Sequence, residues 1–294
     1  MKPFIHLLAL LIITSFSLKA EEAFETRFTQ QLTTFIKSLD QEQREQCLLP
    51  ANDKRRWKMQ YTGGKRAGLQ IGKLTPEQKV EFEKTIKLVL SEEGWEMATK
   101  VAQQDGEVGL NKYYIACFGD PAKDKQFAFR LAEHHLTIVN LILREGNTKE
   151  FGPILLGSNP PELWKKDEEA LMQLWKDAND PKLLIKGRGA ISSRPMPQGD
   201  GQAYASLNPK AQKQLEAAWQ ERLRIFTPPV QATLTRLLKE NGGFEAAKVA
   251  FYNQAPEQRC INGGKWDFNC QINKLLWDYE GSRGHIHMSL WVKQ

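Results

Sequence analysis

The sequence predicts an α+β protein: a single domain in which antiparallel strands carrying paired histidines pack with several helices. Three observations predict it. Apolar residues recur at helical spacing in several segments whose starts carry capping residues. Runs of β-formers cluster between residues 112 and 144 and again from 266 to 292. No linker, internal repeat or low-complexity stretch divides the chain.

The elements follow in order. From Glu22 to Cys47, the residues Phe24, Phe28, Leu32, Phe35, Ile36 and Leu39 lie on one helical stripe, which Pro50 ends. Residues 52–73 are basic and glycine-containing and read as a loop with one short strand at Trp57 to Tyr61. Thr75-Pro76-Glu77-Gln78 starts a helix: Thr75 caps, Pro76 fits the first turn and Gln78 completes a capping box. A second helix follows Ser91 and ends near Gly106. Lys112 to Gly119 is rich in β-formers, and Asp120-Pro121 turns the chain. Gln126 to Arg144 continues extended, with Phe127, Phe129 and Leu131 alternating against Ala128, Arg130 and Ala132. A helix over Pro161 to Trp175 and a long loop at 187–205 come next. Asn208-Pro209 and Thr227-Pro228 start two more helices, the last ending at Gly242-Gly243. Trp266 to Ile272, Lys274 to Tyr279 and His285 to Val292 read as strands.

Residues 1–20 have the pattern of a secretory signal peptide: Lys2, an apolar run from Phe4 to Phe16, and a small residue, Ala20, at the cleavage point. The run is too short for a spanning helix, which needs about 17–25 apolar residues. The expected mature chain is residues 21–294, secreted or periplasmic, with no stable membrane insertion once the leader is removed. Losing Lys2 and Lys19 takes the 41 basic residues to 39 against 35 acidic ones, a net charge of +4. That is an ordinary solvated surface and does not indicate a nucleic-acid partner. Lys54-Arg55-Arg56 with Lys58 is the densest basic cluster and reads as a solvated loop.

Export puts the four cysteines in an oxidising compartment. They allow three connectivities. The turn-like Asn262-Gly263-Gly264 between Cys260 and Cys270 favours a local bridge there, which would leave Cys47 to pair with Cys117.

His6 leaves with the leader. The other four histidines fall in two close pairs, His134-His135 and His285-Ile286-His287. On a strand, residues i and i+2 share a face. Ile286, Met288, Leu290 and Val292 then form the core face, and His285, His287, Ser289 and Trp291 the other. Two imidazoles on one face can ligate one Zn or Cu ion, with His134 or His135 supplied by a neighbouring strand. Adjacent strand residues point oppositely, so only one of His134 and His135 joins unless the backbone bends there. The bland alternative is a half-exposed, hydrogen-bonded set.

Glu133, beside the pair, is a candidate base, ligand or orienter of an imidazole. Arg66 and Arg130 are candidates to clamp an anionic substrate, and Asn140 to position substrate or water. Other chemistries lack their motifs: there is no G-x-S-x-G elbow, Walker A loop, Rossmann fingerprint, H-E-x-x-H or C-x-x-C.

Several stretches resemble one bacterial family. They are Arg66-x-Gly68-Leu69, Tyr113-Tyr114 before Phe118-Gly119-Asp120-Pro121, and Phe127-x-Phe129 before His134-His135-Leu136-Thr137-x-x-Asn140. Gly152-Pro153 before Gly157-x-x-Pro160 follows, then Trp277-x-Tyr279-Glu280-Gly281 before His285-Ile286-His287. In order, from about residue 57 to the end, they resemble the domain-of-unknown-function family 3500. The resemblance implies no established activity. It does imply that His-His-Leu and the terminal His-x-His belong to one pattern, from which Glu133 departs by standing where glycine is expected.

The sequence therefore points to an exported protein that binds a transition metal through paired histidines, as a metal-dependent hydrolase or oxidoreductase. The alternatives are a non-catalytic binding protein for a metal, sugar or anion, and a structural protein with hydrogen-bonded histidines. The expected partner is a small-molecule or metal ligand.

Overall fold

The computed structural model describes residues 23–143, 148–187, 189, 194–282 and 284–293; the expected leader lies outside them. The chain begins with helix α1 (23–38), α2 (Gln41–Cys47) and the short strands β1 (Leu48–Leu49) and β2 (Leu69–Gln70). Helices α3 (Pro76–Ile86) and α4 (Glu92–Gln104) follow. Next come strands β3 (Tyr114–Phe118), β4 (Gln126–Ala132), β5 (Leu136–Leu143) and β6 (Phe151–Ser158). Helix α5 (Lys165–Ala178) is followed by the short strands β7 (Leu184–Ile185) and β8 (Gln202–Ala203), then by α6 (Pro209–Leu223) and α7 (Pro228–Glu240). The chain closes with β9 (Ala247–Asn253), β10 (Trp266–Ile272), β11 (Leu275–Ser282) and β12 (His285–Val292).

All twelve strands belong to one sheet, in the order β1-β3-β4-β5-β6-β12-β11-β10-β9-β7, with β2 on β3 and β8 on β9. The α+β class is as expected, and all the long strand pairs are antiparallel; among the described residues only β1–β3 and β7–β9 are parallel. Two four-strand meanders, β3 to β6 and β9 to β12, meet where β6 pairs with β12. That junction places Gly157 opposite His287 and the first half of the chain against its end.

Period-two alternation sorts each strand between two faces. Phe127, Phe129 and Leu131 of β4, Leu136 and Ile138 of β5, and Ile286, Met288, Leu290 and Val292 of β12 join the helices in the main core. Ala116, Phe118, Ala128 and Val139 form a smaller cluster on the other face. The division of β12 follows the expected one, with Ile286, Leu290 and Val292 fully buried and His285 and His287 on the far face.

Three expectations about elements change. The N-terminal helical stripe is two helices, because Asp40 caps α2 with its carboxylate on the Gln43 amide at 2.8 Å. Trp57 closes a 3-10 turn, Lys54–Trp57, and no strand follows it to Tyr61. Strands β6 and β9 were not expected at all. Gly152 (φ 94°) and Pro153 punctuate β6 opposite a register shift at Leu290/Val292, which disguises it as a loop.

Helix starts follow their caps closely. Thr75 Oγ1 accepts from the Gln78 amide at 3.3 Å and the Thr75 amide donates to Gln78 Oε1 at 2.9 Å. The same Gln78 side chain donates to Gln43 Oε1 at 2.7 Å, so the capping boxes of α2 and α3 lock together. Thr75→Ala is expected to cost about 1 kcal/mol. Gln78→Ala should cost more, because it also removes the two hydrogen bonds to buried Gln43 and the one to the Ser38 carbonyl; urea denaturation of both variants checks the order.

The two expected disulfides are not formed: all four cysteines are free thiols. Cys260 Sγ lies 3.5 Å from the His285 carbonyl, at the start of β12, whereas Cys270 sits within β10 opposite Trp277 and Val249. Trp277 and His285 are separated by most of a strand, roughly 15 Å at about 3.3 Å per residue, so the spacing that suggested a turn does not bring the two sulfurs together. Cys47 is close to Cys117, since Leu48 pairs with Cys117, but Cys117 Sγ donates to the Gly119 carbonyl at 3.2 Å. Burial pushes the Cys47 and Cys270 thiols up to about 12. Among the described residues, no helix is long and apolar enough to cross a membrane.

Candidate functional site

The four histidines converge. One ligand atom from each of His134, His135, His285 and His287 lies within 4.8 Å of the others. Strand β12 supplies two, because i and i+2 share its far face. The other two come from the connection between β4 and β5. The backbone leaves the extended state at 133–135 and closes a tight hairpin, the Glu133 amide donating to the Leu136 carbonyl at 2.8 Å. That bend lets adjacent side chains point the same way: the His134 and His135 rings stack at 3.9 Å with an 18° interplanar angle. The His285 and His287 centroids are 4.5 Å apart, and those of His135 and His285 4.8 Å.

Gly157 makes room for the cluster. It faces His287 across the β6–β12 ladder, and its amide donates to the His135 carbonyl at 2.8 Å. A Cβ there would stand 2.5 Å from the Ile286 carbonyl oxygen, 2.9 Å from His135 Cδ2 and 3.0 Å from His287 Cδ2. The glycine is required for space beneath two imidazoles.

His135 is oriented from behind by Asp105, the residue that ends α4. Asp105 Oδ1 takes His135 Nδ1, Oδ2 accepts from the His135 amide at 3.3 Å, and Tyr113 Oη donates to Oδ2 at 2.6 Å. Burial opposes ionisation of Asp105, but the hydrogen bonds from His135 and Tyr113 prevail and hold its carboxyl below the usual range. This fixes the proton on Nδ1 and leaves Nε2 of His135 facing the other rings, 2.7 Å from His285 Nε2. A carboxylate behind an imidazole is the arrangement that orients metal-ligating histidines.

His287 meets Glu280 Oε2 at 3.7 Å through Nδ1, and the Tyr61 ring at 4.9 Å edge-on. Its Nε2 is buried and has no hydrogen-bond partner among the described residues. Burial, then the neighbouring imidazoles, push His285 down to about 4 and lower His134 from its ordinary value. Both are therefore neutral near pH 7, as a ligand must be.

The remaining expected site residues fall elsewhere. Glu133 is fully buried; it accepts from the Gly64 amide at 2.8 Å and from the His134 amide, with Arg66 Nη2 at 3.9 Å. It braces the 61–66 loop and the hairpin through backbone amides. Arg66 donates to the Thr62 carbonyl at 2.5 Å and the Gly64 carbonyl at 2.9 Å, tying the same loop. Arg130 lies on the far face of β4, paired with Ala116 and Val139, and lines a cavity together with Arg66. Asn140 is not at the histidines: it pairs with Phe129 on the core face, in step with Leu136 and Ile138. Alternation puts it on the wrong side of the sheet.

Sequence reasoning missed Asp105, Tyr113, Gly157 as a floor, and Tyr61. One local signal pointed to Asp105. A carboxylate at a helix C-terminus opposes the helix dipole, and such conflicts mark sites where another contact decides.

A family model described as Protein of unknown function (DUF3500) matches residues 21–186, more than half of the chain. The match includes His134 and His135 and ends before β12, so it is shorter than the resemblance traced by motifs. No curated protein and no solved structure matches the chain.

Proposed function

The chain belongs to this family of unknown function, and we propose from its site that it binds one transition-metal ion, Zn or Cu, through His134, His135, His285 and His287. The observation that carries this reading is the convergence of four imidazole ligand atoms within 4.8 Å. Support comes from Asp105 behind His135 and from the buried Nε2 of His287, which has no hydrogen-bond partner among the described residues. Four nitrogens at about 2.0–2.1 Å from a tetrahedral ion lie roughly 3.3 Å apart. The rings would therefore draw in slightly, and the contact between His135 and His285 would open to admit the ion. All-imidazole donors suit Zn and Cu better than Ca or Mg.

A four-imidazole set fills a tetrahedral coordination sphere. A catalytic ion keeps an open position for water or substrate. The geometry thus favours holding the ion over turning over a substrate, and a carrier, sensor or structural role over a hydrolase or oxidoreductase. We place the protein outside the cytoplasm, secreted or periplasmic, on the leader-like residues 1–20.

Titration calorimetry with Zn²⁺ and with Cu²⁺ on the chelator-treated chain tests the reading. One ion per chain should bind, and His285→Ala or His287→Ala should weaken it by at least about 100-fold, more than loss of a supporting group costs. An absence of saturable binding, or affinities unchanged in both variants, would overturn it.

A further inference from the structure

A second site stands on a different observation. Beyond the loop that Glu133 braces lies a cavity of about 850 Å³. Arg55, Lys58, Lys65, Arg66, Lys73 and Arg130 line it, and among the described residues Glu45 is the one acid in its wall. Exposed lysines and arginines are usually only solvated. Arg130 is different. It is 1% exposed, yet no carboxylate pairs with it among the described residues.

Its surroundings explain how it is held and what it lacks. Arg130 Nη1 donates to the Arg55 carbonyl, and the guanidinium lies 5.6 Å from the Phe118 ring centroid. Its Nε is buried with no partner among the described residues. Burial, and then the charges of Arg66 and Arg55, outweigh the attraction of the Asp53 carboxylate and lower its pKa to about 10, so it stays protonated at neutral pH. A buried charge with no carboxylate at ion-pair distance is costly, the attraction of Asp53 being shared with Arg55, and the fold nonetheless keeps one here.

The other cations divide into occupied and available. Arg55 is paired with Asp53 at 2.5 Å, Lys73 Nζ donates to Gln46 Oε1 at 3.2 Å, and Arg66 is committed to the carbonyls of Thr62 and Gly64. Lys58 and Lys65 are exposed and carry no ion pair among the described residues. We infer that this cavity binds a small anion with two or more negative charges, of phosphate or carboxylate type, through the buried guanidinium of Arg130 and the ammonium groups of Lys58 and Lys65. A guanidinium presents paired N–H donors to such oxyanions, and the lysines add charge at the opening. The site needs no metal, so it stands or falls apart from the histidine centre.

The test uses the full chain freed of metal, at low salt, with inorganic pyrophosphate and with succinate as probes. Calorimetry should find one saturable site for at least one probe, the preferred probe showing whether phosphate or carboxylate is the matching group. Lys58→Ala combined with Lys65→Ala, both at exposed positions, should weaken it by about tenfold or more. Arg130→Gln should abolish it; should that variant not fold, the lysine pair still decides. Binding should also fall as salt rises. No saturable binding of either probe, or equal binding by the wild type and the lysine variant, would overturn the inference, whatever the metal titration gives.

Discussion

Replacing Gly157 by alanine is expected to abolish metal binding and to loosen the centre of the sheet. The added methyl meets a backbone atom, the Ile286 carbonyl oxygen at 2.5 Å, which no side-chain rotation relieves. It also meets His135 and His287 at 2.9 and 3.0 Å. Strands β6 and β12 must part at the one ladder that joins the two meanders. Overpacking of this kind costs roughly 1–3 kcal/mol. Ligand positions in a metal site tolerate only about 0.2 Å, so the affinity loss should exceed the stability loss in kind. Urea denaturation of the metal-free chain and a Zn²⁺ titration of the same variant separate the two effects. Metal affinity within threefold of wild type would contradict the role given to this glycine.

Asp105→Asn is expected to lower metal affinity about 10–100-fold while leaving the fold in place. The amide is isosteric, so Tyr113 and the His135 amide can still find an acceptor oxygen. It cannot offer two anionic oxygens, and its NH₂ group competes for the position of His135 Nδ1–H. The favoured tautomer weakens, and with it the lone pair at Nε2. Tyr113→Phe removes only the 2.6 Å bond to Oδ2 and should have a smaller effect in the same direction. An Asp105→Asn chain that binds Zn²⁺ as the wild type does would show that His135 is not a ligand, or that its orientation does not depend on this carboxylate.

Much of the fold could be read before the structure, because its signals are local. Thr75, Ser91 and Asn208 stand at helix starts and accept from their first-turn amides. The alternation of β12 assigned both its faces, and so placed His285 and His287 on one side. What could not be read depends on long-range pairing. Strand β6 carries Gly152, Pro153 and Gly157, residues that locally signal loops, and becomes a strand because β5 and β12 flank it. The bend at 133–135 decides whether His134 joins His135, and alternation along an unbroken strand argued against it. Asp105 reaches His135 across 30 residues of chain, which no spacing rule encodes. The cysteine reading failed for the converse reason. A turn between Cys260 and Cys270 is present, with Gly263 at φ 96°, but it leads into a strand that carries Cys270 away from Cys260.

The histidine centre and the cationic cavity share the 61–66 loop. Tyr61 contacts His287, Gly64 bonds Glu133, and Lys65 and Arg66 line the cavity. The one fully buried acid between them, Glu133, holds this loop to the hairpin that presents His134 and His135. A single short segment thus bounds both features, although in the sequence only Arg66 of it stood out from a basic, glycine-containing connection.

The most direct test of the central claim is the metal content of the chain purified from its native source without chelators, measured by inductively coupled plasma mass spectrometry beside the His285→Ala/His287→Ala double variant. The account predicts one Zn or Cu ion per wild-type chain and none above background in the variant. A wild-type chain free of transition metal, or a variant that retains as much as the wild type, would contradict it.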